Sequence, residues 1–275
     1  MPIAPAGEIS DLASFEKALL ALGEEFGHET MWWRGQADAS WGLKPHVFRP
    51  RPDGEPFKEV GLINQFKMRA FGRLAGRREP TSEIEWLFLA QHYGLPTRLL
   101  DWTESPLAAL YFALQSEVHS GCEACLWAVS PTLLNVAHAD PFHPGSAQRG
   151  FVWFEERPIR AIAMQAHGFT AEAIRKMLFP DEPQLRVLPS VVALGATELD
   201  ERIVAQSGRF TIHAVTNGIE ELPESAGYLR KFLIPATEKR ALNYRLQMMG
   251  IRHWNLFPDL QSLAQGLRQT HLVGI

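Results

Sequence analysis

The most informative part of the chain is the polar stretch QHYGLPTRLLDWTESP, residues 91–106. It joins two segments with helical periodicity, and it brings together His, Arg, Asp, Trp and several hydroxyl side chains. Thr103 and Ser105 are of the residue types that cap helix N-termini, and Pro106 is favoured in a first helical turn. The unpaired N–H groups at a helix start, with the positive end of the helix dipole, attract anions such as phosphate. The stretch therefore predicts a loop that binds an anion at the start of a helix.

The composition is that of an ordinary soluble globular protein, because 46% of the 275 residues are hydrophobic and 21% are charged. A net charge of -4 gives no overall attraction to nucleic acid or to anionic membranes, so any phosphate recognition must come from locally placed arginines. The sequence predicts neither a signal peptide nor a membrane-spanning helix. Two cysteines, Cys122 and Cys125, do not make a disulfide framework, and we expect a cytoplasmic protein.

Helical and strand patterns follow one another without the regular alternation of a doubly wound sheet. Periodic apolar residues predict helices over 10–26, 60–74, 82–92, 106–119, 170–178, 237–249 and 258–268. Short apolar runs predict strands over 30–35, 124–129, 187–194, 210–214, 229–234 and 252–257. Residues 40–56 are predicted to form a surface loop and residues 131–158 a long irregular connection. The prediction is an α+β fold, with helices packed around a small mixed or split β-sheet.

Three separated motifs resemble the FRG domain, which is named for an aromatic-Arg-Gly signature. They are Trp33-Arg34-Gly35-Gln36, the stretch from Ala90-Gln91-His92-Tyr93-Gly94 through Asp101-Trp102-Thr103 to 108–113, and 202–210, and the ending 256–260 also fits. The resemblance implies a single FRG-like domain over 30–270, with a helical segment over 1–29 before it and a helical or irregular insertion near 131–186. FRG domains occur in bacterial and phage proteins, often in settings that suggest antiviral defence or toxicity.

The order of these motifs also resembles that of ADP-ribosyltransferases, and this implies a related fold. In that resemblance Arg34-Gly35 corresponds to the first-strand Arg-Gly that holds a nicotinamide or phosphate. Thr103-Glu104-Ser105 corresponds to the hydroxyl-rich second motif, and Tyr111-Phe112-Ala113 to a Tyr-Phe-Ala motif. The late Glu-X-Glu of those enzymes has no counterpart in this sequence. Gln206 and Asp259 stand nearest to its place.

The leading hypothesis is an enzyme that binds NAD, cleaves its nicotinamide–ribose bond and transfers ADP-ribose to a macromolecule or to water. The predicted catalytic residues are Arg34, His92, Asp101, Gln206 and Asp259. The residues predicted to bind NAD are Arg34, Gly35, Gln36, Thr97, Arg98, Trp102, Thr103, Ser105, Tyr111 and Arg202. Among them, Arg34 and Arg98 are assigned to the diphosphate, because a guanidinium can donate two parallel hydrogen bonds to a phosphate. Trp102 and Tyr111 are assigned to stacking, and no metal is expected.

Several of these residues also have a structural explanation. Arg34 could bridge carboxylates across the core, and Asp101 could order a loop. His92 could interact with the C-terminus of a helix, and Asp259 could cap one.

The spacing of His119, Cys122 and Cys125 resembles a metal site that lacks an evident fourth ligand. Ordinary buried thiols are the preferred interpretation.

Two other classes of function stay open at this point. In a nuclease, the same Arg, His and Asp side chains would cleave an RNA or DNA phosphodiester. In a non-catalytic sensor, the pocket would bind a nucleotide or a phage component and the surface would signal to a partner. For the transferase, a protein or a nucleic acid could accept the ADP-ribose, and a neutralising or regulatory protein could restrain the enzyme.

Overall fold

Eight strands form one mixed β-sheet in the computed structural model, which describes residues 3–74, 78–115, 118–138, 152–153, 157–181, 188–195 and 201–272. The strands are β1 (Gly7–Glu8), β2 (Trp32–Gln36), β3 (Leu99–Thr103), β4 (Ala124–Val129), β5 (Val152–Trp153), β6 (Val191–Gly195), β7 (Gly208–His213) and β8 (Leu229–Ile234). Their spatial order is β1-β8-β4-β2-β3-β7-β6-β5. The outer pairs β1–β8 and β5–β6 are parallel, and the pairs between them are antiparallel. The predicted α+β class is confirmed, although the sheet is larger than expected.

The sheet opens at its centre, between β2 and β3. β2 pairs with β4 over five residues, and β3 pairs with β7 over five residues. β2 and β3, which are both fully described, pair with each other at one position, Trp33 with Thr103. The sheet therefore consists of two four-stranded halves that meet at a short contact, which we call the β2–β3 junction.

The described residues form eleven α-helices. They are α1 (Leu12–Glu25), α2 (Glu59–Ala70), α3 (Glu83–His92), α4 (Pro106–Leu114), α5 (Pro131–His138), α6 (Arg157–Ala166), α7 (Ala171–Leu178), α8 (Glu201–Ala205), α9 (Lys239–Met248), α10 (His253–Leu256) and α11 (Leu260–Leu272). Hydroxyl side chains begin four of them, including Ser130 before α5, which accepts the N–H of Leu133. Ser82 caps α3, Ser105 caps α4 and Thr170 caps α7, and each hydroxyl accepts the N–H of the residue three positions later.

Helices cover one face of the sheet in two groups, one for each half. Trp33 of β2 packs in a cluster with residues of α1, α4 and α9, including Leu110 of α4. Leu99 of β3 packs in a second cluster with residues of α2, α3 and α6, including Phe88 of α3. Side chains alternate between faces along a strand, so Leu99, Asp101 and Thr103 share the face of Trp33. The β2–β3 junction therefore lies between α3 and α4.

Apolar residues from both halves of the sheet form a buried apolar layer on its opposite face. Trp32, Leu100, Trp102 and Trp127 are buried there together with Leu134 of α5. Because this layer spans both halves, it holds them together behind the junction.

The loop predicted over the whole of 91–106 is wrong, because residues 99–103 form the central strand β3. The polar residues within this stretch suggest a loop, but full pairing with β7 and burial of Leu99, Leu100 and Trp102 stabilise a strand. The helix predicted over 106–119 is shorter than expected, since its described part ends at Leu114.

Two other predictions of secondary structure are also corrected. Part of the connection predicted to be irregular over 131–158 consists of α5, β5 and the start of α6, while residues 139–151 and 154–156 lie outside the described residues. The strand predicted over 252–257 is the short helix α10. It closes when the N–H of Phe257 donates to the carbonyl of His253 at 2.9 Å, which a strand cannot do.

None of the helices in the described residues has the combination of length and apolar character that crossing a bilayer requires.

Candidate functional site

A cleft with a volume of about 440 Å³ opens at the β2–β3 junction. It has the size and mixed lining of sites that hold small ligands. Its lining comes from both halves of the sheet and from the loops and helices around them, and consists of Trp33, Arg34, Gly35, Gln36, Ala37, Trp41, Arg49, Phe88, Gln91, His92, Asp101, Trp102, Thr103, Phe112, Arg202, Ile203, Gln206, Gly208 and Phe210. The cleft thus brings the Arg-Gly motif near the start of the chain together with the Asp-Trp-Thr motif and with the late stretch 202–210.

Arg34 reaches across the gap between β2 and β3. Its Nη1 donates a hydrogen bond of 2.7 Å to the main-chain carbonyl of Asp101 and lies 3.8 Å from Oδ2 of the same residue. Its Nε is buried without a hydrogen-bond partner among the described residues. Burial is the main cause that lowers the pKa of the guanidinium, and the Asp101 carboxylate opposes this. The side chain remains charged, so it can attract an anion into the cleft.

Asp101 supplies the single carboxylate among the described residues that line the cleft. Its side chain is 55% exposed, and its Oδ2 accepts a hydrogen bond of 3.0 Å from Nε2 of Gln91. The amide of Gln91 is held in turn, because its Oε1 accepts a hydrogen bond from the hydroxyl of Thr97. Thr97 is therefore a positioning residue behind the site and not one of the cleft's lining residues.

Two further arginines line the cleft with Arg34. Arg49 donates from Nε to the carbonyl of Lys44 at 2.9 Å, and burial lowers the pKa of its guanidinium while Asp101 opposes the shift. The guanidinium of Arg202 lies 4.3 Å from the centre of the Phe257 ring. Three arginines therefore share the cleft with one carboxylate, and this balance favours an anionic ligand.

Sequence reasoning missed Arg49, which lies in the stretch predicted to be a surface loop. A weak signal was present in the run Phe48-Arg49-Pro50-Arg51, where two arginines stand between prolines. Nothing in that run shows that Arg49 would turn inward to the cleft.

Thr103 and Gln206 join the ends of two segments at the wall of the cleft. The hydroxyl of Thr103 donates to the main-chain carbonyl of Gln206, and it accepts the N–H of Ser105 at 2.9 Å. The side-chain amide of Gln206 donates to the carbonyl of Leu256 at 3.0 Å. Gln206 carries no charge, so it cannot neutralise a cation in the cleft as the predicted late carboxylate would.

His92 lies at the C-terminal end of α3 and is half-buried in the cleft wall. Its ring makes an edge-to-face contact with Tyr93, with the ring centres 4.9 Å apart. Both interpretations from the sequence agree with this position, since the residue terminates a helix and faces the cleft.

Two of the predicted site residues that line the cleft, Trp102 and Gln36, also make buried structural contacts. Trp102 is 3% exposed, and its Nε1 donates to the hydroxyl of Thr211 at 3.1 Å, so its ring belongs to the apolar layer. The buried amide of Gln36 bonds to Trp127 and to the carbonyl of Gly42.

Gly35 is required by packing between β2 and α4. A Cβ atom on this residue would lie 1.9 Å from the carbonyl oxygen of Ala109 and 2.6 Å from the amide nitrogen of Ala113. No side chain fits there, so the glycine of the motif allows a helix to approach the strand.

Arg98 lies outside the cleft, in a buried ion pair. Its Nε donates to Oε2 of Glu59 at 2.7 Å, its main-chain N–H donates to Oε1 of Glu59 at 2.7 Å, and its Nη1 donates to the carbonyl of His213 at 3.1 Å. These bonds occupy the guanidinium that the sequence assigned to a diphosphate. The structure brings Arg49 into the cleft instead.

Ser105, Tyr111 and Asp259 also lie outside the cleft lining. Ser105 is occupied as the cap of α4. Tyr111 is buried and its hydroxyl pairs with Nδ1 of His253 at 3.0 Å, while burial raises the pKa of the phenol to about 12. Asp259 caps α11, where Oδ1 accepts the N–H of Ser262 at 2.8 Å, in agreement with the capping interpretation.

In the described part of the chain, no cluster of three or more His, Cys, Asp or Glu side chains could hold a metal ion. The thiol of Cys125 is buried and donates weakly to Oε1 of Gln36 at 3.6 Å. Burial raises the pKa of this thiol to about 12, which keeps it protonated.

Residues 29–121 match the family model of the FRG domain. No curated protein and no solved structure matches the chain. The matched stretch contains the first two motifs of the resemblance, whereas 202–210 and 256–260 lie beyond it. Residues 29–121 are therefore similar to the FRG domain, and most of the residues that line the cleft lie within this matched stretch.

Proposed function

We propose that the cleft binds NAD and that the protein cleaves the nicotinamide–ribose bond, transferring ADP-ribose to a macromolecule or to water. The observation that carries the proposal is the charge arrangement of the cleft, where Arg34, Arg49 and Arg202 share one space with the carboxylate of Asp101. Guanidinium groups are suited to the diphosphate of a dinucleotide. A carboxylate beside them suits the sugar at which positive charge develops.

We assign to Asp101 the role of the group that faces the developing positive charge, for which the sequence suggested Gln206 or Asp259. Nicotinamide leaves as a neutral molecule with the electron pair of the C1′–N bond, and the ribose becomes an oxocarbenium-like cation. A carboxylate fixed by Gln91 would stabilise that cation electrostatically. Water or an acceptor group then adds to C1′, and its proton passes to the carboxylate. This chemistry depends on positioning and charge and requires no protein nucleophile.

The setting follows from the family and is proposed with it. FRG domains occur in bacterial and phage proteins, often in settings that suggest antiviral defence or toxicity, so we propose a toxin or antiviral role in the cytoplasm. The acceptor of ADP-ribose would then be a protein or a nucleic acid of the cell or of the phage. A neutralising or regulatory partner would restrain the enzyme until it is needed.

The test is release of nicotinamide from NAD by the purified protein, measured by chromatography with and without added protein, RNA and DNA. Asp101→Asn preserves the shape of the side chain and removes its charge, so we expect release to fall roughly 100-fold or more. Asp53→Asn is the matched control, because Asp53 is an exposed aspartate outside the cleft lining, and we expect no change.

Three outcomes would contradict the proposal in different ways. Release that Asp101→Asn leaves intact would remove the carboxylate from the mechanism. Cleavage of RNA or DNA without nicotinamide release, abolished by Arg34→Ala, would favour the nuclease. Binding of NAD with no release under any of the conditions would favour the non-catalytic sensor.

A further inference from the structure

Trp41 is the exposed aromatic residue of the cleft. Trp41 as a residue is 43% exposed, whereas Trp33, Phe88, Trp102 and Phe210 are buried. Among the described residues that line the cleft, it therefore offers the most accessible aromatic ring to a bound molecule. It lies five residues beyond the end of β2, in a loop that we call the Trp41 loop, residues 37–43.

Side chains of α9, β8 and β2 hold the backbone of the Trp41 loop. Lys239 donates from Nζ to the carbonyl of Ala37 at 2.9 Å, and Lys231 donates from Nζ to the carbonyl of Ala39 at 2.6 Å. The amide of Gln36 donates to the carbonyl of Gly42 at 3.1 Å.

The end of the Trp41 loop is held by a carboxylate. Both side-chain oxygens of Glu220 accept the N–H of Leu43 at 3.0 Å. The contact is close, because a Cβ atom on Gly42 would lie 2.5 Å from Oε1 of Glu220. The indole itself makes an edge-to-face contact with His119, with ring centres 4.8 Å apart and an angle of 77° between the planes.

An exposed aromatic residue on a mobile loop would have little significance, since single exposed apolar residues are common. Here the backbone of the loop is fixed from several directions, and Trp41 lines the same cleft as three arginines as well as a neighbouring cavity. A rigid ring loses little conformational freedom when a flat molecule stacks on it, so such a platform is preorganised for binding. Nucleobases stack on aromatic side chains, and the arginines supply the matching contacts to phosphate.

We propose that Trp41 is a stacking platform for the adenine base of the nucleotide whose phosphates the cleft arginines hold. This inference rests on the proposed role of the cleft as a nucleotide site, and it adds a subsite for the base. Trp41 is a binding residue in this assignment and takes no part in bond cleavage.

The experiment uses calorimetry to compare the affinity of the purified protein for ADP with its affinity for inorganic pyrophosphate, in the wild type and in three variants. Trp41→Ala should weaken ADP binding roughly tenfold, and Trp41→Phe should recover most of that loss, because stacking needs a ring. Neither change should alter pyrophosphate binding more than twofold. Phe71→Ala removes an exposed aromatic residue outside the cleft and should change neither affinity.

Equal weakening of ADP and pyrophosphate in Trp41→Ala would overturn the inference, since it would show that Trp41 shapes the loop and not the base subsite. Unchanged ADP affinity in Trp41→Ala would overturn it as well, and so would a wild-type protein that binds no ADP at millimolar concentration. Nicotinamide release is a separate measurement. A protein that binds ADP through Trp41 but releases no nicotinamide would support this inference while the proposed function fails.

Discussion

Arg34 donates a hydrogen bond of 2.7 Å to the main-chain carbonyl of Asp101 at the place where β2 and β3 stop pairing. The contact uses the backbone of Asp101, while the carboxylate lies 3.8 Å from the same nitrogen and is 55% exposed. One arginine thus replaces missing main-chain pairing and leaves the neighbouring carboxylate accessible from the cleft. Arg34 therefore has a structural role at the junction, and the ligand-binding role proposed for it would use the same side chain.

Replacement of Arg34 should affect both stability and binding. Arg34→Ala removes a charged hydrogen-bond donor from Asp101, so we expect the free energy of unfolding to fall by about 1–3 kcal/mol in urea titrations. Binding of pyrophosphate should weaken by roughly tenfold or more, because a charged contact to phosphate is lost. Arg240→Ala, at an exposed position outside the cleft, should change neither quantity. Weaker binding in both variants would point to general charge effects.

The buried pair of Glu59 and Arg98 should matter for stability and not for the ligand. Glu59→Gln leaves the buried guanidinium without a counter-charge, and we expect a loss of about 3–5 kcal/mol of unfolding free energy. Glu83→Gln breaks a pair with Lys67 in which the carboxylate is exposed, and should cost less than about 1 kcal/mol. Urea titrations measure the free energy of unfolding of both variants. Similar losses in the two would contradict the distinction between the buried and the exposed ion pair. Pyrophosphate affinity should be unchanged in folded Glu59→Gln, because Arg98 does not line the cleft.

Gly35→Ala should be strongly destabilising, because the new methyl group would overlap the backbone of α4 at Ala109. We expect a loss of about 1–3 kcal/mol or more, as in other cases where a packed interior receives extra atoms. Gly72→Ala is the matched control, since a Cβ atom there meets no other atom within 4 Å. The thermal midpoints of the two variants give the comparison, and an equal shift in both would contradict the packing role.

Stability should fall in acid because of His213. Burial, followed by the nearby charge of Arg98, lowers the pKa of its imidazole to about 3 from the ordinary value of 6.5. Between these two values the unfolded chain binds a proton that the folded chain excludes. The free energy of unfolding therefore decreases as the pH falls from 6.5 towards 3, by about 1.4 kcal/mol per pH unit for one proton.

His213→Gln tests this assignment, because glutamine keeps a polar end near Thr211 without an imidazole to protonate. The slope of unfolding free energy against pH between 6.5 and 5 should be shallower than in the wild type. It should not vanish, because burial also lowers the pKa values of His138 and His253. Identical slopes in the two proteins would place the acid sensitivity elsewhere.

The sequence predicted much of the cleft because its motifs lie in short continuous pieces. Arg34, Asp101, Arg202 and Gln206 all line the cleft, although they come from three separate stretches. Trp41 and Arg49 were missed because a loop rich in Pro and Gly has no periodicity, and its path depends on distant partners such as Glu220.

Two residues that the sequence assigned to the ligand, Trp102 and Arg98, show why the loop interpretation of 91–106 fails. Trp102 stands next to Asp101 in the sequence, but in a strand adjacent side chains point to opposite faces. Asp101 therefore shares the face of Trp33, while Trp102 belongs to the apolar layer on the other side. Arg98 was assigned to a phosphate on the basis of the same stretch, and the contact that holds it comes from Glu59, 39 positions earlier. Local patterns cannot identify a partner at that separation.

The short contact between β2 and β3 has a consequence for what ligand binding in the cleft would do to the stability of the protein. A molecule bound in the cleft would contact β2 and β3, the two strands that pair at one position only. Ligand binding and stability are therefore linked, because a ligand that binds only the folded protein shifts the folding equilibrium away from the unfolded chain. A bound nucleotide would therefore stabilise the folded protein at the β2–β3 junction, where the sheet has the fewest main-chain hydrogen bonds.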